Sequence, residues 1–450
     1  MSRRRSRKPK LPGYPVKTTI ESLSHDGRGV AHIEGKAIFV DGALPGEPIS
    51  FMYTGKTRKY DEGKVCELYE ASPVRVEPKC ASFEICGGCS LQHISPEHQI
   101  QMKQQTPLDN FERIGKVEAD RILEPLTGPV WGYRNKARLG VKRVHKKHKT
   151  LVGFREQRSS YLADIPRCEV LHSSVGERLE ELAELIEGME SRETIPQIEV
   201  AIGDEVTVLV LRTLNELSED DKNKLVAYAK KTGLHIQLQP KGPDTVTPLW
   251  PEQSQLFYRL NDYDLTMNFL PIDFTQVNPA INQPMIRQAL GLLELKDSDE
   301  VLDLFCGLGN FTLPIAKSAG RVTGVEGDEG LVQRARDNAR SNGISNVEYH
   351  AVDLTQDPSE QAWMSQQYNK ILIDPPRSGA SEMMPYVAKL NPERIVYVAC
   401  HPGTLARDAG ILVNEFGYHL QAAGVMDMFP HTTHVESMAL FVRDKPAGKK

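Results

Sequence analysis

The stretch "EVLDLFCGLGNFTLPIAKSAGRVTGVEGDEGLVQRARDNARSNGI", residues 300–344, constrains the fold more than any other part of the chain. It reads as strand, glycine loop, helix, strand, helix. Further apolar runs follow in "NVEYHAVDL", "YNKILIDPPRSG" and "RIVYVACHPGT", each ending in polar or conformationally special residues. Strands alternating with helices in this way build a doubly wound parallel sheet, whose ligands bind at the carboxyl ends of the strands.

The residues at those ends therefore carry the functional signal. After "EVLDLF" come Cys306-Gly307-Leu308-Gly309-Asn310, glycines that permit a tight turn and close approach of a ligand to the backbone. The next strand ends in Glu326, nineteen positions after Gly307, where an acid can accept hydrogen bonds from ribose hydroxyls. A dinucleotide is the rival ligand. Its fingerprint wants a third glycine where this chain has Thr312, and Asp303 would repel a pyrophosphate. A cationic sulfonium tolerates acids, which favours S-adenosylmethionine (SAM) over NAD. Asp353 and Asp374 end the following strands. Each alone reads as a helix N-cap; Glu326, Asp353 and Asp374 in succession read as the lining of one crevice.

Cys400 lies just past an apolar strand, ahead of a helix "GTLARDAGIL". A helix N-terminus lowers a thiol pKa and favours the thiolate. Methyl transfer to nitrogen or oxygen needs no such nucleophile. Transfer to C5 of a pyrimidine does, because thiolate addition at C6 makes C5 carbanion-like. The C5 proton must then leave. Glu436, in "FPHTTHVESMALFVRD", is the favoured base and His434 the alternative.

The rest of the chain reads as an ordinary soluble globular protein with a local positive face. Its 450 residues allow two or three domains. With 40% hydrophobic and 26% charged residues it has an ordinary globular composition. It has no run of about 18 apolar residues, the length of a membrane span, and no secretory signal. The net charge is −5, yet Pro125–Arg155 holds no Asp or Glu and nine Lys or Arg. Such a stretch predicts a positive face for a polyanion, or else a solvated charged hairpin. The basic N-terminus "MSRRRSRKPK" reads as a solvated tail or a phosphate-touching arm. Seven cysteines, without an export signal, predict a reducing cytoplasm and metal-binding or catalytic roles.

Short strands and glycine-rich turns over residues 12–70 predict a small closed barrel of the OB type. Cys66, in its last strand, reads as an ordinary buried cysteine. Cys80, Cys86 and Cys89 cluster in "KCASFEICGGCSLQH". A structural metal site needs a fourth ligand, and the x5–x2 spacing alone leaves zinc slightly ahead of an iron–sulfur cluster. A helix follows at "SPEHQIQMKQQTPLDNFERIG", and residues from about 125 to 250 read as α+β.

Taken together, "DLFCGLGNFTLPIA", "FTQVN", "ILIDPPRSG", "VYVACHPGTLARD" and "HTTHVESMALF" resemble the bacterial RNA uracil-C5 methyltransferases, over nearly the whole chain. "GRGVAHIEGKAIFVDGALPGE" resembles that family's RNA-binding TRAM domain, an OB-like barrel. The resemblance implies that Cys400 is the nucleophile and Glu436 the proton acceptor. It implies SAM contacts from Gln276, Phe305, Asn310, Glu326, Asp353 and Asp374. It also reverses the metal reading toward a [4Fe-4S] cluster on Cys80, Cys86, Cys89 and Cys168. Cys168 is the cysteine left once Cys66, Cys306 and Cys400 are placed elsewhere. The branch bearing both a TRAM domain and a cluster acts on 23S ribosomal RNA, so the implied partner is 23S rRNA with a flipped, looped uridine, and the protein a cytoplasmic monomer. The implied domains are the barrel over 12–70, a central α+β iron–sulfur and RNA-binding domain over 75–262, and a Rossmann-like methyltransferase domain over 263–450. Residues 95–116 are expected to pack with the last of these.

Four rivals remain at this stage: a transfer-RNA or dual-site uracil methyltransferase, a radical-SAM enzyme, an adenine-N6 methyltransferase, and an RNA-binding protein with an inactive methylase fold. A fourth cysteine ligand argues against the second, Arg377 in place of an aromatic residue against the third, and the full set of strand-end acids against the last.

Overall fold

The computed structural model describes residues 11–443, so the basic arm 1–10 lies outside the described residues. The chain forms two compact units. The smaller comprises the residues up to Gln99 together with His431–Thr433, and the larger runs from Ile100 to Pro430 and resumes at His434.

In the smaller unit, alternating apolar residues turn one way and build a barrel interior of Ile20, Ala31, Ile38, Val40, Ile49 and Phe51. Val16–Thr19 pairs antiparallel with Pro48–Lys56, and the continuing segment Ser22–Leu23 pairs with Gly29–Ile33. One bent stretch thus borders both ends of the six-stranded order, which closes the sheet. Cys66 departs from expectation. It is exposed, because the alternation in Asp61–Leu68 turns it outward, with Sγ 3.3 Å from the Ser50 hydroxyl. After the barrel the cysteine loop folds back on itself. The Phe83 N–H donates to the Cys80 carbonyl, the Cys86 N–H to the Ser82 carbonyl, and the Gly88 N–H to Cys86 Sγ at 3.4 Å.

The larger unit holds two main sheets. The first is mixed and six-stranded, in the order Thr247–Trp250, His235–Gln239, Thr207–Arg212, Gln197–Ile202, Lys136–Val144, Lys149–Gly153. Its one parallel pair is joined across the helix Glu219–Thr232. That helix starts where Ser218 Oγ accepts the Asp221 N–H and stops at Gly233, with φ of 74°.

The second sheet has eight strands: Val347–Ala351, Arg321–Glu326, Glu300–Leu304, Lys370–Ile373, Arg394–Ala399, Glu436–Val442, His419–Met426 and Arg121–Ile122. The strands from Glu300 through Ala399 are parallel, and Glu436–Val442 runs antiparallel to both neighbours. The order reverses beside Glu300–Leu304, which makes the crevice expected of a doubly wound sheet. Strand alternation divides the core. Val301, Val322, Leu372 and Val396 pack on one face, and Leu302, Ile371, Ile373, Ile395 and Tyr397 on the other. The helix Pro96–Asn110 leads into a wider turn, Phe111–Gly115, that also packs in this unit. A Cβ on Gly115 would stand 2.5 Å from the Ala406 carbonyl, so only glycine permits this approach to the helix Pro402–Asn414. Among the described residues no helix is long and apolar enough to cross a membrane.

Candidate active site

The strand Glu300–Leu304 enters its loop through Phe305, with φ of 64°, and the turn continues through Gly307 and Gly309, with φ of 55° and 92°. Glu326, at the end of the neighbouring strand, fastens this loop. Its Oε2 accepts the Gly307 N–H at 3.0 Å, and Oε1 accepts those of Gly327 and Asp328 at 2.7 and 3.2 Å. A carboxylate has about four lone-pair sites, so about one is left for a ligand hydroxyl. Asn310 is held from below. It exchanges hydrogen bonds with the Asn282 amide at 2.9 and 3.0 Å and accepts the Tyr258 hydroxyl at 2.9 Å. Asp353 is exposed and turns back onto its own loop, accepting the Thr355 N–H and hydroxyl at 2.9 and 2.7 Å. Gln276 is half-buried, two residues beyond Phe274, a residue 70% exposed.

Three acids converge beneath the loop. Asp303 is buried, with Oδ2 accepting the Thr312 hydroxyl at 2.6 Å and Oδ1 without a partner. Burial, then the charges of Asp374 and Glu326, raise Asp303 to about 8. Removal from water, then Glu326, raises Asp374 to about 7. A pyrophosphate here would deepen the repulsion and leave the Asp303 oxygen unsatisfied. A cationic ligand relieves the repulsion, so these residues fit a sulfonium cofactor.

The same Asp374 faces a second group. Cys400 follows the strand Arg394–Ala399, and Glu436 opens the adjacent antiparallel strand, where Ser437 pairs with Ala399. The thiol does not have the lowered pKa that its place before a helix predicted. Burial, then Glu436 and Asp374, push it up to about 11, against the weaker pull of Arg377. The helix N-terminus is occupied locally, since His401 Nδ1 accepts the Thr404 N–H at 3.2 Å. Glu436 is itself raised to about 8, first by burial and then by Asp374. Arg377, which sequence reasoning did not count as a site residue, sits among them and approaches His434 Nδ1 to 2.8 Å through Nη2. That nitrogen of His434 is therefore taken, and burial with Arg377, Arg134 and Lys103 lowers the ring's basicity. Phe274 and Arg377 were visible in the motifs "FTQVN" and "ILIDPPRSG"; what marks them out is the exposure of Phe274 and the electrostatic reach of Arg377 to Cys400 and Glu436.

Cys80, Cys86, Cys89 and Cys168 are all half-buried, and the first three share the loop of the smaller unit. Among the described residues no ready-made group of three metal-binding side chains is formed. The acid-free basic stretch is partly neutralised in space. Arg138 pairs with Glu199, its cross-strand neighbour, Arg143 with Glu187, and Lys147 and Lys149 with Asp164. Lys142 and Lys146 remain exposed.

Comparison with known proteins agrees with this arrangement. The profile of the family described as tRNA (Uracil-5-)-methyltransferase matches residues 132–444, and that of the TRAM domain residues 11–48. The chain is 52% identical to the 23S rRNA (uracil(1939)-C(5))-methyltransferase RlmD of Methylococcus capsulatus, over 98% of this chain and all of that one. It is equally 52% identical to the protein of the same name from Alcanivorax borkumensis, over 99% of this chain and all of the other. Among solved structures, the Pyrococcus abyssi tRNA (uracil-54, C5)-methyltransferase in complex with S-adenosyl-L-homocysteine superposes with a TM-score of 0.72 at 23% identity, covering 95% of this chain and all of that one, and so shares its fold. A family profile across more than half the chain, and relatives half-identical along its length, establish that it belongs to the RNA uracil-C5 methyltransferase family and carries an N-terminal TRAM domain.

Proposed function

We propose that the chain methylates C5 of a uridine in 23S ribosomal RNA with SAM as methyl donor. The carrying observation is Cys400, coupled to Glu436 and Asp374 at the carboxyl end of the parallel sheet, in a chain so close to named 23S rRNA uracil-C5 methyltransferases. Cys400 loses its proton to solvent, and its thiolate adds to C6 of the uracil as the C5–C6 double bond breaks. When bound, SAM supplies the methyl group that C5 receives. Glu436, as carboxylate, then takes the C5 proton, the C5–C6 double bond re-forms, and the thiolate of Cys400 leaves. Glu326 and Asp374 hold the cofactor, with Gln276, Phe305, Asn310 and Asp353 around it. Phe274, exposed beside Gln276, offers a ring on which an extruded base can stack.

The barrel over 12–70 and the exposed Lys142 and Lys146 contact RNA backbone, with a single looped uridine flipped toward Cys400. The central part over 75–262 carries the cluster ligands, and 263–450 the chemistry. The protein acts as a cytoplasmic monomer. Mass mapping of 5-methyluridine in 23S rRNA tests the reading. Cells lacking the protein should lose one modified uridine and regain it on complementation; unchanged modification would refute it.

The thiols of Cys80, Cys86, Cys89 and Cys168 suit a [4Fe-4S] cluster with a structural role. A backbone N–H directed at Cys86 Sγ is the kind of support that cluster thiolates receive. Anaerobically purified protein should be brown and contain iron and sulfide, and Cys168→Ser should lower both. Stoichiometric zinc without iron would overturn the cluster.

A further inference from the structure

Glu436 is the first residue of its strand, and its cross-strand partner Met426 is the last residue of the preceding one. The position of Glu436 therefore depends on the two ends of the loop between them. Both ends are held by one face of the helix Pro96–Asn110, which contributes nothing to the sheet. Ile100 packs against Val425 and Val435, the residues that precede Met426 and Glu436. One turn on, Lys103 reaches Asp427, the next residue after Met426, at 2.7 Å, and the Phe429 carbonyl at 2.8 Å. Lys103 and Asp427 are each only 3% exposed. Other segments close the same loop: the Asp427 N–H donates to the Leu126 carbonyl at 2.8 Å, and the Tyr133 hydroxyl to the Pro430 carbonyl at 3.1 Å.

A buried ion pair is a poor source of stability compared with apolar packing, because both charges lose their water. What it supplies is a fixed geometry. Lys103 has one nitrogen and two acceptors on the same loop, so it sets the distance between Asp427 and Phe429 and with it the path of the chain toward Glu436. We propose that Lys103 and Asp427 are positioning residues, which hold Glu436 where it can take the C5 proton. Neither touches substrate. The inference rests on Glu436 as the base.

The step they serve is proton removal, after the protein–RNA bond and the new C5–methyl bond exist. Lys103→Met should therefore leave formation of the adduct intact and slow its release. A displacement of about 1 Å at a reacting group costs roughly 10²-fold, which sets the expected scale. The test uses the full chain with an RNA fragment and SAM. Adduct is read by denaturing electrophoresis, release by single-turnover kinetics, and folding by SAM affinity. Accumulated adduct with unchanged SAM affinity supports the proposal, as does partial recovery of release in Lys103→Arg, which keeps the charge but not the point geometry. Release at the original rate in Lys103→Met overturns it. So does lost turnover without adduct while SAM still binds. If Lys103→Met does not fold, Lys103→Arg decides: slowed release with intact SAM affinity supports the proposal, and an unaltered rate overturns it. Glu436→Gln is run beside these variants. Should it turn over normally, the base assignment has failed; should it trap adduct while the Lys103 variants release normally, only the positioning role has failed.

Discussion

Cys400→Ala abolishes methyl transfer and leaves SAM affinity nearly unchanged, because the thiol attacks RNA and the acids that hold the cofactor remain. Deleting the nucleophile of a covalent mechanism costs on the order of 10⁶ in rate. The structure adds a pH dependence. The thiol of the unliganded protein lies near 11, held up by burial and by Glu436 and Asp374, so at neutral pH it carries its proton. Thiolate rises as pH rises toward that value, and adduct formation should rise with it from pH 6 to 9. The positive charge of Arg377 favours the thiolate, so Arg377→Met should displace that rise to higher pH. The checks are single-turnover methylation across pH and calorimetric titration with SAM. Measurable turnover by Cys400→Ala would mean direct transfer and a different target atom.

The doubly wound sheet was legible because its signals are local. A strand, a glycine turn and a helix declare themselves within a few residues, and Glu326 and Asp374 stand at strand ends that the apolar runs define. The barrel was legible for the same reason, through period-two alternation. Features that depend on distant residues were not. The stretch Pro125–Arg155 is free of acids in sequence but not in space, since Glu199 lies directly across the strands from Arg138 and Asp164 meets both Lys147 and Lys149. Cys66 was misread because alternation fixes two faces without saying which is inward. The Cys400 thiol was misread because a helix N-terminus is visible in sequence, while the carboxylates that outweigh it come from two other strands. Lys103 and Asp427 are separated by most of the chain, and nothing in either segment announces the other.

Glu436→Gln separates the two halves of the reaction. Cys400 can still add to C6 and C5 can still receive its methyl group, since neither bond needs Glu436 as the acceptor of the C5 proton. The resulting ring carries both a methyl group and a hydrogen at C5, and only loss of that proton restores the double bond and expels the thiolate. Gln matches Glu in size but has no useful basicity, so release should slow by roughly 10²–10⁴-fold. A protein–RNA species that survives denaturing electrophoresis and already contains methylated uracil should accumulate, and the double variant with Cys400→Ala should show none. In the unsubstituted enzyme Glu436 is raised to about 8, by burial first and Asp374 second. Its basic form is therefore scarce below that pH and grows as pH rises through it, so release should accelerate from pH 6 to 9. Glu436→Gln should lose that acceleration. His434 is the competing base, but its Nδ1 already meets Arg377, and three neighbouring cations together with burial lower its basicity. Normal turnover by Glu436→Gln, with the pH dependence intact, would return the role to His434 or to water.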